Sequence, residues 1–453
     1  MLANLKSASR FLRPGLGLKR WLAPLLVGLV ILGLGIGLFL RWLNATAALP
    51  PLLQLILLQS LPDWARGLVL MVLGVALTGY SLIKLNALML GAFLPDQASV
   101  RYVARRVYRH RRRRREGPKV VAIGGGTGLS VLLSGLKDYT ENITGIVTVA
   151  DDGGSSGKLR RELGVLPPGD FRNCIAALAD DEALTTQLFQ YRFRTGGLEG
   201  HSFGNLFITA MAEVTGSFEK ALYESGRVLN IRGTILPSTL EDVTLCAEVE
   251  EGPQTRKVEG ESAIPEAMAP IERVYLQPDA PAAFPPALQA ILGADLIVAG
   301  PGSLYTSIIP NLLVAEIASA IRSSNAPKIY ICNVATQPGE TEGYTIDDHV
   351  QAIQAHTDII EFGLRDAAGE PEDKQIGNKR ASYYLFDYVL ANNNQRQSIP
   401  APKSHLQTVL LADPGPESYQ VIGTNVVDEQ YPWRHDSTKL AKELMNWYKQ
   451  VEA

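Results

Sequence analysis

The chain of 453 residues is too long for one small module, and with 46% hydrophobic and 20% charged residues it has the composition of a globular protein. Its three cysteines, Cys174, Cys246 and Cys332, have no CxxC spacing, so neither a disulfide framework nor a cysteine zinc site is indicated. Charge is divided unevenly. Residues 1–118 hold 17 Lys and Arg against three acids, which leaves 26 against 43 for the rest of the chain.

The first predicted element is a membrane span. Residues 21–40 (WLAPLLVGLVILGLGIGLFL) carry no charge, and an apolar helix of this length crosses about 30 Å of hydrocarbon. A second span is predicted over residues 67–83, with Lys84 at its end able to snorkel to the interface. A cleaved signal peptide is the alternative for the first span, but the run is long for a signal peptide and another span follows it.

Basic residues flank both predicted spans. Lys6, Arg10, Arg13, Lys19 and Arg20 precede the first span, and an arginine-rich run over residues 101–115 follows the second. The positive-inside rule therefore predicts a two-pass membrane protein with both termini and the main domain in the cytoplasm. Because the arginine run follows a span directly, we expect it to contact anionic lipid rather than nucleic acid.

The sequence divides into a membrane anchor over residues 1–117 and a cytoplasmic domain over residues 118–453. Strand-like runs over residues 119–123, 144–149, 296–299 and 329–333 alternate with helical stretches. This alternation predicts an α/β fold with a Rossmann-like, mostly parallel sheet. Residues 234–276, rich in Thr, Val and Glu, are predicted to form a β-rich insertion, followed by a Pro/Ala-rich linker over residues 278–286.

A glycine-rich loop ends the first predicted strand and begins a helix. It consists of Gly124, Gly125, Gly126, Thr127 and Gly128. Free backbone N–H groups and the helix dipole favour an anion at such a position, and glycine allows close approach of phosphate. The loop is not the dinucleotide fingerprint, because Leu129 occupies the place of the third glycine. A plain tight turn is the alternative interpretation.

Paired acids follow the second predicted strand. Asp151 and Asp152 precede Gly153, Gly154 and Ser155 in the run VADDGGSSG. A carboxylate at the end of this strand lies where α/β folds bind ribose or hold a phosphate-bound cation. We therefore predict a Mg²⁺ site at Asp151 and Asp152, with a solvated turn as the alternative.

Two further polar clusters, PPGDFRN over residues 167–173 and HSFGN over residues 201–205, each begin a helical stretch. In these clusters Asp170 and Asn205 are candidate site residues or plain helix caps, and His201 is a structural histidine or a general base.

A second strand-to-glycine loop, GPGSLYTS, begins at Gly300. Two such loops on neighbouring strands are expected to frame one crevice.

Together, GGGTG, VADDGGSSG, PPGDFRN, HSFGN and GPGSLYTSIIPNLL resemble the bacterial gluconeogenesis factor family. That family lies in the CofD-like superfamily, which also contains 2-phospho-L-lactate transferase. The resemblance covers residues 119–449 and implies a Rossmann-like fold that binds UDP-glucose or UDP-N-acetylglucosamine. It also implies a role in cell shape and in the supply of envelope precursors during gluconeogenic growth.

The resemblance implies specific ligand contacts. The diphosphate is expected at Gly124, Gly125, Gly126, Thr127, Gly128, Gly300, Pro301, Gly302, Ser303, Leu304, Tyr305 and Thr306. The nucleoside or sugar is expected near Asp151, Asp152, Asn173 and Asn205, with Gly153, Gly154, Ser155, Asp170 and His201 as further candidates. The family's RHD element is matched by Arg434, His435 and Asp436, and Arg434 is expected to contact a phosphate.

The sequence also departs from its relatives. The transferase branch has an Asn-Pro pair where this chain has Ser303-Leu304-Tyr305, and it lacks the DDGGSSG extension. We therefore expect a UDP-sugar-binding regulator rather than an enzyme, with a Mg²⁺-dependent transferase as the alternative. The expected partners are a UDP-sugar, anionic membrane lipid, an envelope-precursor enzyme and a second copy of the chain.

Overall fold

The computed structural model describes residues 117–179, 183–368, 384–394, 406–410 and 419–452, with a few single positions elsewhere. Its helices and strands belong to the second of two units, Arg106–Ala453. Apart from isolated positions, both predicted membrane spans lie outside the described residues, and so does the arginine run. Within the described residues no single helix has the length and apolarity to cross a membrane, although one bent pair, Leu304–Leu312 with Ala315–Ser323, meets that test jointly.

The described strands follow one another from the start of the domain to near its end. They are β1 (Val120–Gly124), β2 (Ile143–Val147), β3 (Thr234–Pro237), β4 (Thr244–Glu251), β5 (Gln254–Glu259), β6 (Ile271–Gln277), β7 (Leu296–Ala299), β8 (Lys328–Ile331), β9 (Tyr388–Asn392) and β10 (Gln420–Thr424).

The helices lie between these strands and after the last one. They are α1 (Gly126–Leu136), α2 (Gly154–Leu163), α3 (Gly169–Leu178), α4 (Ala183–Gln190), α5 (Phe203–Thr215), α6 (Phe218–Val228), α7 (Ala263–Glu266), α8 (Pro285–Leu292), α9 (Ile309–Leu312), α10 (Ala315–Ser323), α11 (Ile346–Ala368) and α12 (Ser437–Val451). A π-helical segment, Leu304–Ile308, leads into α9.

Seven strands form one parallel sheet in the order β10-β9-β8-β7-β1-β2-β3. From β1 the chain moves to one side of the sheet through β2 and β3, and from β7 it moves to the other side. This is the strand order of dinucleotide-binding folds, extended at one edge. Strands β1 and β7 are buried along their whole length, as expected of a sheet covered on both faces. The predicted Rossmann-like fold is confirmed.

A second, smaller sheet confirms the predicted β-rich insertion. It is antiparallel, in the order β5-β4-β6, and lies in the chain between β3 and β7. The predicted start of the insertion at residue 234 is too early, because Thr234–Pro237 pairs in parallel with β2 in the large sheet. This strand, β3, lies at the edge of the large sheet and has four residues. Like β2 it contains Thr and Ile, so composition alone does not show which of the two sheets it joins.

Helix α1 is held between the sheet and the end of the chain. Leu129, Leu132, Leu133 and Leu136 are fully buried at the spacing of one helical face. On another side, a Cβ on Gly135 would lie within 2.0 Å of the backbone oxygen of Ser437. The first residue of α12 therefore packs directly on the first helix of the domain.

Candidate functional site

The two glycine-rich loops meet at the carboxyl ends of β1 and β7. A Cβ on Gly128 would lie 2.3 Å from the backbone oxygen of Pro301 and 2.7 Å from the Cα of Gly302. Only a residue without a side chain permits this contact. The loops meet where the strand order reverses, which is where open α/β sheets bind ligands. The structure therefore brings together the two loops that the sequence singled out.

A cavity of about 660 Å³ opens beside these loops. Many of the residues predicted from the sequence line it, namely Gly125, Gly126, Thr127, Gly128, Asp151, Asp170, Pro301, Gly302, Ser303, Thr306 and Arg434. The other predicted residues do not line it, namely Gly124, Asp152, Gly153, Gly154, Ser155, Asn173, His201, Asn205, Gly300, Leu304 and Tyr305. Both predicted loops therefore contribute to one cavity, whereas the second set of predicted residues lies outside its lining.

The N-terminus of α1 faces a buried carboxyl group. Gly126 has a φ of +59°, and its N–H donates a hydrogen bond to the side chain of Asp170. Burial and the nearby Asp151 raise the pKa of Asp170 to about 7. Asp170 was considered as a cap for its own helix, but α3 has no side-chain cap. Instead, its carboxyl group occupies the position at α1 that favours an anion.

Side chains after β8 hold the second loop in place. Asn333 accepts a hydrogen bond from the Gly302 N–H at 3.2 Å and donates one to the Gly302 carbonyl at 2.9 Å. Gln337 donates to the Ser303 hydroxyl at 2.8 Å. These bonds satisfy both backbone groups of Gly302 with one side chain, so the loop conformation is fixed without a ligand.

A buried glutamate lies beneath the start of the π-helical segment. Glu340 accepts hydrogen bonds from the Tyr305 N–H at 3.2 Å and the Thr306 hydroxyl at 3.1 Å. Burial raises its pKa to about 7, although these two hydrogen bonds oppose the shift. Each glycine-rich loop therefore leads into a helical N-terminus that contacts a carboxyl group with a raised pKa.

The polar clusters over residues 167–173 and 201–205 form a network behind the cavity wall, to which Asp170 alone of these residues contributes a lining side chain. The Ser155 hydroxyl lies 3.0 Å from His201 Nδ1, and Asn205 donates to Ser155 at 3.1 Å. Arg172 donates to Ser202 at 2.5 Å and to Asn173 at 2.8 Å. Asn205 does not cap α5, since that cap is Ser202. His201 is buried and its Nδ1 lies next to the Ser155 hydroxyl, which fits the interpretation as a structural histidine.

Four acids surround the cavity: Asp151, Asp170, Glu261 and Glu340. Burial raises the pKa of Asp151. Burial, together with the charges of Asp151 and Asp170, raises the pKa of Glu261 to about 8.

Asp152, predicted as a second cation ligand, instead accepts hydrogen bonds from Ser262. In the described part of the chain no three acid, histidine or cysteine side chains are arranged to hold a metal ion. Mg²⁺ commonly uses one or two carboxylates plus substrate phosphates, so Asp151 still fits as a protein ligand.

Sequence reasoning missed several residues that line the cavity. They include Glu261, Asn333, Gln337, Glu340 and Trp433. Asn333 is the second residue after β8, so the rule that placed Asp151 just after a strand would also have placed Asn333 there. The other four residues lie on loops or turns whose positions depend on tertiary packing, and no local pattern marks them.

A family comparison agrees with this geometry. The family model described as "2-phospho-L-lactate transferase CofD" matches residues 120–450. The chain belongs to the CofD family. The matched CofD segment begins at β1 and ends within α12, so it contains every strand of both sheets.

Individual relatives carry the name that the motifs indicated. The chain is 44% identical over 462 residues to a "Putative gluconeogenesis factor" of Nostoc sp. (strain PCC 7120), covering 97% of this chain and 92% of the relative. It is 44% identical over 340 residues to the "Gluconeogenesis factor" of Bacillus subtilis, covering 74% of this chain and 99% of that one. The predicted resemblance to this group of CofD family members is confirmed.

A solved structure shows the same fold. A crystal structure of a protein of the UPF0052 family from Bacillus halodurans matches with a TM-score of 0.62 and 42% sequence identity. The match covers 73% of this chain and 99% of that one. The part of the chain that matches is about the length of the domain described above.

Proposed function

We propose that this chain is a UDP-sugar-binding regulator of the gluconeogenesis factor type. The observation that supports it best is the contact between the two glycine-rich loops, which brings Gly125–Gly128 and Pro301–Ser303 onto one cavity. Helix N-termini and glycine backbone together bind phosphates. A ligand with two linked phosphates suits two such positions better than a ligand with one.

The remaining walls suit the other parts of such a ligand. Arg434 is exposed at the cavity, 5.7 Å from the ring of Tyr431, and is free to contact a phosphate by two parallel hydrogen bonds. Polar side chains elsewhere in the lining, such as Thr127 and Asp151, suit hydroxyl and amide groups. The volume of about 660 Å³ is within the range of sites for small molecules of this size.

Direct titration tests the proposal. Isothermal calorimetry of the detergent-solubilised full chain with UDP-N-acetylglucosamine, UDP-glucose and UDP is expected to show saturable binding of both sugars. ADP-glucose serves as the control for the nucleobase. Absence of heat with every uridine nucleotide, from protein that melts cooperatively, would refute the proposal.

The acids favour a second candidate function, a Mg²⁺-dependent transferase acting on a nucleotide diphosphate. Asp151 would hold the cation together with the ligand's phosphates, and the cation would stabilise charge on the phosphate oxygens. Asp170, close to Asp151 and with a pKa of about 7, is able to take or give a proton near neutral pH. Release of UMP or UDP from a UDP-sugar in the presence of Mg²⁺ would favour this function over a regulator.

We further propose that residues 1–117 form a two-pass anchor with both termini and the main domain in the cytoplasm. The basic flanks of the two apolar stretches support this topology. Replacing Arg111 to Arg115 with Gln is expected to weaken flotation of the protein with vesicles that contain anionic lipid, with neutral vesicles as the control. Equal flotation of both proteins would count against a lipid contact.

The proposed regulator acts by carrying a signal from the UDP-sugar pool to an enzyme of envelope-precursor synthesis, as part of a homo-oligomer. The relatives are named gluconeogenesis factors, which supports a role in carbon flux, whereas the partner enzyme and the second copy are proposed from the resemblance of the motifs. Crosslinking in the presence and absence of UDP-N-acetylglucosamine, followed by mass spectrometry, would identify both a second copy and a partner enzyme. A crosslinking pattern unaffected by the nucleotide would contradict the signalling role.

A further inference from the structure

A loop of the β-rich insertion is bound to the end of β2. The backbone N–H and the hydroxyl of Ser262 donate hydrogen bonds to the same carboxylate oxygen of Asp152, at 2.9 and 2.8 Å. Gly260 lies so close that a Cβ there would be 2.3 Å from the other oxygen of Asp152. One oxygen of Asp152 is therefore hydrogen-bonded to Ser262 and the other packs closely on Gly260, in the segment 260–262 that joins β5 to α7.

The neighbouring acids Asp151 and Asp152 have different positions. Asp151 lines the cavity, whereas Asp152 holds the insertion loop. Glu261 lies in the chain between Gly260 and Ser262, the two residues that Asp152 contacts, and it lines the cavity. Within the described residues the Glu261 carboxyl group has no hydrogen bond of its own, although it lies in the field of Asp151, Asp170 and Glu340. Asp152 thus holds in place a side chain that is available to a ligand.

We propose that Glu261 binds hydroxyl groups of the nucleotide sugar, and that Asp152 is the positioning residue that keeps Glu261 in the cavity. This inference rests on the proposed function. A carboxyl group is repelled by a diphosphate when it is ionised, whereas it forms strong hydrogen bonds with hydroxyl groups. Ribose and hexose hydroxyls share this chemistry, and the two are separated in the experiment below.

The protonation of Glu261 supports this role. Burial and the surrounding acids raise its pKa to about 8. At neutral pH it is therefore largely protonated, so it donates as well as accepts hydrogen bonds and adds no charge next to the diphosphate. Above pH 8 it ionises, and its charge then opposes the bound phosphates.

The experiment compares variants of the full chain in titrations with UDP-N-acetylglucosamine and with UDP. Glu261→Ala is expected to weaken binding of the sugar nucleotide about tenfold, the size of one or two net hydrogen bonds. If affinity for UDP is unchanged, the contact is with hexose hydroxyls. If UDP weakens equally, the contact is with ribose. Both results support the proposal, and unchanged affinity for both ligands would overturn it.

The positioning role of Asp152 has its own readout. Asp152→Ala is expected to weaken binding of UDP-N-acetylglucosamine as much as Glu261→Ala does. The double variant, Asp152→Ala with Glu261→Ala, is expected to weaken it no further than either single variant. Asp152→Asn keeps one acceptor oxygen for Ser262 and is expected to restore most of the affinity. Losses that add in the double variant would overturn the positioning role.

A pH profile separates this role from a general structural defect. Wild-type affinity is expected to fall between pH 7 and 9 as Glu261 ionises, while Glu261→Gln, which stays neutral, is expected to hold its affinity. Asp152→Ala is expected to lose the pH-dependent fall. Retention of the wild-type fall in both Glu261→Gln and Asp152→Ala would overturn the proposal.

The control is Glu266→Ala, an exposed acid on the same insertion that does not line the cavity, and no change is expected. If Asp152→Ala does not fold, Ser262→Ala replaces it as the test, since it removes one of the two hydrogen bonds. Ser262→Ala is expected to weaken binding about threefold, and unchanged binding would overturn the positioning role of Asp152. Failure of the wild-type chain to bind either nucleotide refutes the proposed function itself, and is thus distinct from failure of this inference.

Discussion

The two glycine-rich loops line one cavity but are held by different means. The first loop depends on backbone: Gly126 has a positive φ, and Gly128 leaves room for the second loop. The second loop depends on side chains, with Asn333 bonded to both backbone groups of Gly302. The first loop is therefore sensitive to an added Cβ, whereas the second is sensitive to a lost hydrogen bond.

The largest effect is expected where the two loops touch. In Gly128→Ala the new Cβ would lie 2.3 Å from the Pro301 oxygen, so the loops must separate, at a cost of roughly 1–3 kcal/mol or more. We expect UDP-sugar binding to fall below detection by calorimetry and the melting temperature to fall by several degrees. Gly197→Ala is the control, since its Cβ would meet nothing within 4 Å. Wild-type affinity in Gly128→Ala would mean that the loop contact is not needed for the site.

A smaller effect is expected at Gly126, where the surrounding space is open and only the backbone conformation is restrictive. A Cβ there would lie 3.8 Å from Asp170 and Ser307, an ordinary contact, but the φ is +59°. Gly126→Val is expected to weaken binding about tenfold, since a left-handed conformation costs roughly 1–2 kcal/mol for most residues. Gly126→Asn, which tolerates this conformation, is expected to bind better than Val. Equal affinity of the two variants would contradict the backbone explanation.

The second loop is tested by Asn333→Leu, which removes both hydrogen bonds to Gly302. Leaving one buried donor or acceptor unpaired costs about 1–3 kcal/mol. We therefore expect a five- to tenfold loss of affinity for UDP-sugar, with a melting temperature reduced by a few degrees. Asn333→Leu combined with Gly128→Ala should show a less than additive loss of the free energy of unfolding, because the loops share a contact. Full additivity would indicate that the loops act independently.

The next prediction concerns folding rather than ligand binding: the free energy of unfolding is expected to depend on pH. Burial raises the pKa of Asp170 to about 7, so the stability that depends on its protonated form is fully present below about pH 4 and lost as pH rises to about 7. Asp170→Asn mimics the protonated acid. Its free energy of unfolding relative to wild type is expected to increase between pH 5 and pH 7.5. A constant difference over this range would show that Asp170 titrates normally.

A cation is expected to change the same pH dependence. Bound Mg²⁺ compensates the ionised acids around the cavity, so it should stabilise the protein more at pH 8 than at pH 5. Thermal melts with Mg²⁺ and with the same ionic strength of Na⁺ measure this difference. Equal stabilisation at both pH values would argue against a cation at Asp151.

The sequence predicted the fold and the two loops well, because their signals are local. Runs of β-branched residues followed by glycine mark β1 and β7, and the parallel sheet follows from their alternation with helices. The motifs around Ser155, His201 and Asn205 were also found. Their side chains pack with one another behind the wall, and a motif shows which residues cluster but not which of them face the cavity.

Residues brought in by long-range contacts could not be predicted. Glu261 depends on the hydrogen bonds between Asp152 and Ser262, which are separated by 110 positions. Glu340 reaches the start of the π-helical segment from a turn after β8. Since neither position carries a periodic pattern or a glycine signal, only the folded structure shows that four acids share one cavity.

The ladder between β1 and β7 has a consequence for how the protein is made. The Lys119 N–H donates to the Asp295 carboxylate across a separation of 176 positions, and closing so long a loop slows folding. During translation the first loop leaves the ribosome long before the strand that completes its cavity. Until β7 arrives, the side of β1 that faces β7 is an unpaired edge of apolar residues, so before this pairing forms the nascent chain is exposed to aggregation and to chaperone capture.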